Sequence, residues 1–310
     1  MKQTVSFYQL PGLNQLLRKR QVPWRAIVFM AIASFVTFAV TLGYHAPGFA
    51  YDVVIQPSSP RQGDTISILV TAKEDPSVVP TVTVNDETYP TFEIREGQFR
   101  TFVPTSPVHP SGRYVIRVTG VEAARNPAVW LSDRSFRVQR ITLPPGRSNL
   151  GTDHEFDRVA DFKALMSPEK FWQTPMVRPA EGRVSTEYGV RRYYNGVFAQ
   201  NYYHRGIDYA APTGTPVVAP AAGRVALVGR VADGFELHGN TIGIDHGQGV
   251  SSIFLHLNSI SVREGDVVQP GQAIGTIGNT GASTGPHLHW GLYVNGISVD
   301  PVPWLTGRME

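Results

Sequence analysis

Alternating apolar and polar positions characterise residues 51–142. The runs are Thr65–Thr71, Thr81–Asn85, Gln98–Val103, Arg113–Thr119 and Ser135–Arg140, and turn signals such as Gln62-Gly63-Asp64 separate them. A period of two is typical of strands with one buried face, so the pattern predicts a small β-sandwich of immunoglobulin-like type. The segment holds no catalytic constellation. We expect it to act as a spacer or as a contact module for an envelope protein.

A helical pattern follows in residues 143–175, which we interpret as a linker. After the break at Leu143-Pro144-Pro145-Gly146, the stretch Thr152–Met166 has apolar residues at helical spacing. These are Phe156, Val159, Phe162 and Leu165. The spacing predicts a helix that covers part of the next segment.

Residues 176–310 change in character, with dense glycine and proline between short apolar runs. This pattern predicts many short strands joined by turns. We therefore expect a mainly β protein, in which an antiparallel β domain with an open groove follows the sandwich and the linker.

An apolar run without charge, residues 26–43, follows a basic stretch that includes Arg18, Lys19, Arg20 and Arg25. No further Lys or Arg occurs before Arg61. Because positive charge keeps the N-terminal flank in the cytoplasm, the rest of the chain is expected on the exported side. Residues 1–50 are either a membrane anchor or a signal peptide, since Gly48-Phe49-Ala50 offers a cleavage site before Tyr51.

Composition narrows the chemistry. The net charge is +3 and the sequence pI is about 9.1. A mildly basic protein can bind an anionic cell wall as well as nucleic acid, so the charge alone does not identify the partner. We expect no nucleic-acid partner. The chain has no cysteine, so any metal must be held by His, Asp or Glu. Six of the nine histidines lie between His204 and His289, a clustering that a plain core does not require.

Two short motifs in this segment suggest a metal site. In His287-Leu288-His289, strand alternation puts both imidazoles on one face. In His204-Arg205-Gly206-Ile207-Asp208, a turn or bulge at Gly206 can bring His204 and Asp208 together. Two imidazole nitrogens and one carboxylate oxygen suit catalytic zinc with its fourth position open. Each motif alone is a weak signal.

Together and in this order, the motifs resemble the lysostaphin-type (LytM-type) zinc endopeptidases of bacterial cell walls. The likeness spans residues 178–304 and leaves the first 175 residues outside it. It runs through Ser185–Arg192, His204–Asp208, Gly214–Pro220, Ala222–Val225, Asp245–Gly247, Val262–Gly271, Thr280-Gly281 and His287–Trp290.

The resemblance implies one zinc ion per chain, with His204, Asp208 and His289 as its ligands. His256 and His287 would then be the catalytic pair that handles the proton of the attacking water. The implied substrate is the peptide part of peptidoglycan, outside the cytoplasm. The resemblance does not indicate which bond is cut.

Two other functions deserve comparison. The pattern of Thr215–Val228 and Val262–Ile277 also resembles biotinyl and lipoyl carrier domains, which share a flattened hairpin architecture. A carrier attaches its cofactor to a lysine, and no lysine follows Lys170, so this alternative fails. A catalytically silent wall-binding or amidase-activator module remains open, because intact ligands are necessary for activity without proving it.

Several other residues receive lesser roles. We expect His246 at a hairpin turn of the framework, His238 and Asn201 in loops, and Trp290 packed against the sheet. Arg191, Arg192 and Tyr203 fit either the rim of a site for an anionic peptide or a solvated face.

Overall fold

The computed structural model of the chain describes residues 51–73, 75–120, 125–142 and 151–309, which belong to one compact unit. The predicted anchor or signal segment, residues 26–43, lies outside them. Across the described ranges, no helix is both long and apolar enough to cross a membrane.

Strands dominate the N-terminal region, residues 51–142. They are β1 (Tyr51–Gln56), β2 (Thr65–Ala72), β3 (Thr81–Val84), β4 (Glu87–Tyr89), β5 (Thr91–Arg95), β6 (Gln98–Pro104), β7 (Gly112–Thr119), β8 (Ala128–Leu131) and β9 (Val138–Ile141). Two four-stranded antiparallel sheets, β1-β2-β6-β5 and β4-β3-β7-β8, share one core. Ile68, Val82 and Val118 are fully buried in it. The mainly β character is confirmed, whereas the immunoglobulin-like type stays a prediction.

The last predicted strand of this region has a different partner from the one expected. Within the predicted run Ser135–Arg140, the strand begins at Val138, and it joins neither four-stranded sheet. β9 pairs in parallel with β11 (Arg191–Tyr194), which also pairs with β12 (Val197–Phe198). A three-stranded sheet therefore joins the two β regions.

One helix, α1 (Asp153–Lys163), lies within the predicted helical stretch. It begins after Thr152, whose hydroxyl accepts a hydrogen bond from the Glu155 N–H at 3.1 Å. Its buried face consists of Glu155, Val159 and Phe162. Phe156, which the apolar spacing groups with Val159 and Phe162, is instead 45% exposed. A buried carboxylate occupies the face instead.

The C-terminal region, residues 176–309, contains the remaining strands and one short helix. They are β10 (Arg183–Thr186), β13 (Ile207–Ala210), β14 (Pro216–Val218), β15 (Gly223–Gly229), β16 (Asn240–Gly247), β17 (Val250–Ile260), β18 (Val267–Val268), β19 (Ala273–Ile277), β20 (His287–Val294), β21 (Ile297–Val299) and α2 (Val302–Leu305). The central path of their ten-stranded antiparallel sheet is β10-β13-β20-β17-β16-β15-β18. The antiparallel β architecture predicted for this region is confirmed.

Apolar side chains cover both faces of this sheet. Val159 and Phe162 of α1 pack with Leu227, Ile253 and Tyr293 on one face. The larger core includes Trp172 and Trp304, whose rings are 5.3 Å apart and edge to face.

The larger core also continues into the N-terminal region. The Phe102 ring of β6 lies 5.5 Å from both tryptophan rings. Trp304 Nε1 donates to Thr65 Oγ1 at 3.4 Å, and Arg134 pairs with Asp300 at 2.7 Å. The two β regions therefore share buried surface.

Candidate metal centre

Strand register brings the two predicted motifs together. β13 pairs antiparallel with β20, so that Asp208 lies opposite His289 and Ala210 opposite His287. Directly opposite residues on one face have neighbouring side chains. β17 pairs with the other edge of β20, with Leu255 opposite His289, which brings the following residue, His256, close to the same place.

His204 lies in the loop before β13, and its ring is held by the backbone. His204 Nδ1 is 2.9 Å from the carbonyl oxygen of Glu187. Because a carbonyl only accepts, this bond places the proton on Nδ1 and leaves the lone pair on Nε2.

Gly206 permits the close approach of this loop to β20. A Cβ atom at residue 206 would lie 2.3 Å from the Trp290 carbonyl oxygen and 2.9 Å from His289 Nε2. Real Cβ atoms essentially never show such contacts, so a side chain here would force the loop away. The glycine of the H-x-x-x-D motif is therefore required for close approach.

Three candidate ligand atoms converge on one point. His204 Nε2 lies 3.0 Å from Asp208 Oδ1, His289 Nδ1 lies 2.9 Å from the same oxygen, and the two nitrogens are 3.1 Å apart. Zinc with bonds of about 2 Å holds tetrahedral ligand atoms roughly 3.3 Å apart. The arrangement fits one metal ion held by these three residues, which makes it a candidate metal site within the described residues.

The charge of the group also suits a cation. Burial raises the pKa of Asp208, but the adjacent imidazoles of His204 and His289 outweigh it and hold that pKa well below its usual range. Burial lowers the pKa of His289 to about 4. Both side chains are therefore in the deprotonated form that a metal requires near neutral pH.

Two further imidazoles border the three ligand atoms. The rings of His256 and His287 are 4.9 Å apart, and His287 Nε2 lies 3.8 Å from Asp208 Oδ1. His256 Nδ1 is 2.9 Å from the Thr280 carbonyl oxygen, and His287 Nδ1 is 2.8 Å from that of Gly285. Both bonds place the proton on Nδ1, so each Nε2 keeps a lone pair that can accept a proton.

The backbone of His256 adopts an unusual conformation. Its φ of +64° lies in the left-handed region, and the pairing of β16 with β17 shifts register near it. Such strain in a residue other than glycine costs about 1 kcal/mol or more and tends to occur where a side chain must be redirected. Burial, together with repulsion by His287 and His289, lowers the pKa of His256 to about 3. It is therefore a neutral base over most of the pH range.

A buried carboxylate that sequence reasoning missed supports the loop next to His256. Glu155 of α1 accepts hydrogen bonds from the N–H groups of Glu236 at 2.7 Å and His238 at 2.9 Å, and its side chain also binds His238 Nδ1. The His238 carbonyl in turn accepts from the His256 N–H at 3.0 Å. His238 lies in a loop, as predicted, but it links the linker helix to His256.

One sequence signal pointed to Glu155. Thr152 and Glu155 have the spacing of a capping box, in which the glutamate normally binds the backbone of its own helix. Here the carboxylate binds a distant loop instead, and spacing alone cannot distinguish the two outcomes.

The remaining histidine of the region belongs to the framework. His246 lies in β16, just before the turn, and is fully buried. Its Nδ1 is 2.8 Å from the Ala222 carbonyl and its Nε2 2.9 Å from Ser252 Oγ, which also accepts from Trp290 Nε1. Trp290 is fully buried, as predicted, and Asn201 is an exposed loop residue.

Comparison with known proteins supports these observations. Residues 202–301 match the model of peptidase family M23. The chain is 34% identical to the catalytic domain of the antimicrobial peptidase lysostaphin from Staphylococcus simulans, over 40% of this chain and 92% of that one, with a TM-score of 0.34.

Two curated relatives are longer proteins. The DD-carboxypeptidase/endopeptidase Mpg of Neisseria meningitidis is 40% identical over 46% of this chain. The peptidoglycan DD-endopeptidase ShyC of Vibrio cholerae is 41% identical over 38% of this chain. The matched part covers only 31% and 26% of those two proteins, respectively.

Proposed function

Because the chain belongs to peptidase family M23, we propose that it is a zinc-dependent endopeptidase that hydrolyses amide bonds in peptidoglycan stem peptides or cross-links. The observation that carries this proposal is the convergence of His204, Asp208 and His289 beside two further imidazoles with free Nε2 atoms. The names of the relatives Mpg and ShyC support DD-peptide bonds as the class that is cut.

Zinc is the metal that best suits the donor set. Two imidazole nitrogens and one carboxylate, without thiolate, are typical of catalytic zinc sites that keep one position open. Bound zinc would polarise the scissile carbonyl and lower the pKa of a water molecule toward about 7.

His256 and His287 are assigned the proton transfers. Each has its Nδ1–H committed to a backbone carbonyl, so Nε2 of either ring can take a proton from the attacking water. The protonated imidazole then hydrogen-bonds the developing oxyanion or returns the proton to the leaving amine. Burial of His256 helps because it keeps the imidazole neutral before the reaction.

The compartment follows from the substrate and from the N-terminal sequence. The apolar run 26–43, after its basic flank, supports a location on the exported side of the cytoplasmic membrane, where peptidoglycan lies. In this proposal residues 51–142 form a β-domain with a contact role, residues 143–175 a linker, and residues 176–310 the peptidase domain.

The test is digestion of purified peptidoglycan of defined cross-link type by the zinc-loaded protein. We expect mass spectrometry to find cross-linked fragments converted to uncross-linked ones, with loss of activity in a chelator and recovery on adding zinc. If the protein binds zinc and wall but releases no fragment, it is the silent module instead.

A further inference from the structure

Two arginines flank the ring of Tyr202, close to the proposed ligand His204. Arg192 Cζ lies 5.6 Å from the centre of the ring, and Arg205 Cζ lies 5.8 Å from it. Arg192 Nη1 also donates to the Tyr202 hydroxyl at 3.0 Å. We call Arg192, Tyr202 and Arg205 the cationic strip.

The charge of the strip is not neutralised within the described part of the chain. Neither arginine has a carboxylate oxygen within 4.0 Å there, whereas Arg134 pairs with Asp300 at 2.7 Å. The other acceptors of Arg192 are neutral, namely Gln139 Oε1 at 3.1 Å and the Tyr194 hydroxyl at 3.3 Å. Its Nη2 has no acceptor among the described residues.

The strip lies beside the metal centre. Arg205 directly follows His204 in the chain. The His204 N–H donates to the Val190 carbonyl at 2.9 Å, so the segment that carries Arg192 lies next to this proposed ligand. Burial, together with repulsion by Arg205, lowers the pKa of Lys163 to about 8, so Lys163 is a further cationic group near Arg205.

The chemistry of the strip determines its ligand. Arg192 is half-buried and Arg205 is exposed, so both residues are accessible to a ligand from solvent. A guanidinium presents planar N–H donors that match the two oxygens of a carboxylate. Neutral acceptors already orient Arg192, which reduces the entropy lost when the ligand binds.

We propose that the cationic strip binds a carboxylate of the peptide substrate next to the scissile bond. The enzyme then selects peptides whose carboxylates are free over the same peptides with amidated carboxylates. This inference rests on the proposed peptidase function and names the substrate class that its site prefers.

The test compares two substrates with the full-length, zinc-loaded protein. One is a cross-linked stem-peptide dimer with free carboxylates, and the other is the same dimer with those carboxylates converted to primary amides. We expect kcat/KM to be about tenfold to hundredfold higher for the free form, as for loss of a charge-assisted hydrogen bond. The double variant Arg192→Gln, Arg205→Gln should cut both dimers at the rate of the amidated one.

Arg263→Gln is the matched control. Arg263 is exposed and precedes β18, at the opposite end of the sheet path from β10 and β13. It should keep the full preference. The inference is overturned if the double variant still prefers the free-carboxylate dimer as strongly as the unchanged protein does. It is also overturned if the double variant keeps its zinc but loses activity equally on both dimers.

A binding measurement separates this inference from the proposed function. His287→Ala protein, loaded with zinc, is titrated calorimetrically with each dimer, with and without the two arginine changes. Tighter binding of the free-carboxylate dimer that depends on both arginines supports the strip even if the unchanged protein cuts neither dimer. Equal affinity for the two dimers overturns it.

Discussion

The two β regions bury different kinds of polar group. In residues 51–142 the buried polar side chains are mostly hydroxyls, such as Thr65, Thr101 and Thr105. In residues 176–309 they include three histidines and three aspartates, namely His204, His246, His256, Asp208, Asp245 and Asp300. The His289 side chain is nearly buried as well, at 11% exposure. Both regions are antiparallel β structures with well-packed cores, so the difference does not come from the fold class.

The difference shows where the molecule carries chemistry. A hydroxyl is satisfied by one or two local bonds, as Thr105 is by the backbone of Asp64. A buried imidazole or carboxylate is costlier, because its charged form loses hydration. Groups of this kind concentrate at functional sites, where a perturbed pKa serves the reaction.

The largest effect is expected for His289→Ala. Removing one of the three proposed ligands leaves too few donors for tight zinc binding, so the protein should lose both its metal and about 10⁴-fold or more of its activity. Zinc content and cleavage rate are measured side by side. His287→Ala is the comparison variant, since it should keep its zinc. If His287→Ala lost zinc and His289→Ala kept it, the roles assigned to the two histidines would be exchanged.

The next largest effect is expected for the catalytic pair. His256→Ala and His287→Ala should each lower kcat by about 10²–10⁴-fold while zinc remains bound. Because the two rings act as a unit, the double variant should be little slower than either single one. Strictly multiplicative losses would mean that the two histidines act in independent steps.

Trp304→Ala tests whether the two β regions are energetically joined. Its ring is fully buried against Trp172 and Phe102, so the change should lower the free energy of unfolding by about 3–5 kcal/mol. Chemical denaturation is the measurement. The control is Trp130→Ala, at a site that is 63% exposed, with an expected change of about 0.5 kcal/mol or less. Equal effects would contradict the shared core.

Acid should destabilise the C-terminal region through His246. Burial lowers its pKa to about 4, against about 6.5 in the unfolded chain. Between these values the unfolded state binds more protons, so the free energy of unfolding falls as pH drops from 6.5 to 4, by up to about 3 kcal/mol. Unfolding of the unchanged protein and of His246→Gln is compared from pH 7 to 4.5. The same pH dependence in both would refute this role.

The smallest effect is expected for Glu155→Gln. The change removes the charged acceptor of the loop at residues 236–238, which should lower the free energy of unfolding by about 1–3 kcal/mol. Because that loop supports His256, we also expect a several-fold decrease in kcat. Asp157→Asn, on the exposed side of α1, is the control and should change neither. If Glu155→Gln changed KM and left kcat unchanged, Glu155 would not support His256 in catalysis.

The sequence predicted the site better than its surroundings, for a physical reason. His287 and His289 share a face because strand alternation is a local property, and the pairing of Asp208 with His289 follows from the register of neighbouring strands. Their roles as ligand and catalyst stay predictions. The parallel pairing of β9 with β11 joins segments about fifty residues apart, and no local pattern encodes it.

The helix α1 shows the other limit of pattern reasoning. Apolar spacing indicated Phe156 for the buried face, yet Glu155 occupies it because backbone N–H groups of a distant loop satisfy its carboxylate. A charged residue is assigned to the surface unless its partners are known. The partners lie in a loop that is distant in the sequence, so the sequence of the helix alone does not predict that Glu155 is buried.

The carbonyl of Glu187 has a consequence for protein engineering. Residues 202–301 contain every proposed ligand and both proposed catalytic histidines, so this range resembles a segment that can be transferred between proteins. The transferred segment would leave behind the acceptor that fixes the proton of His204 on Nδ1, along with β10, which borders the strand of Asp208. A chimera with its junction upstream of Arg183 retains both, whereas one joined at residue 202 depends on its new host to supply them.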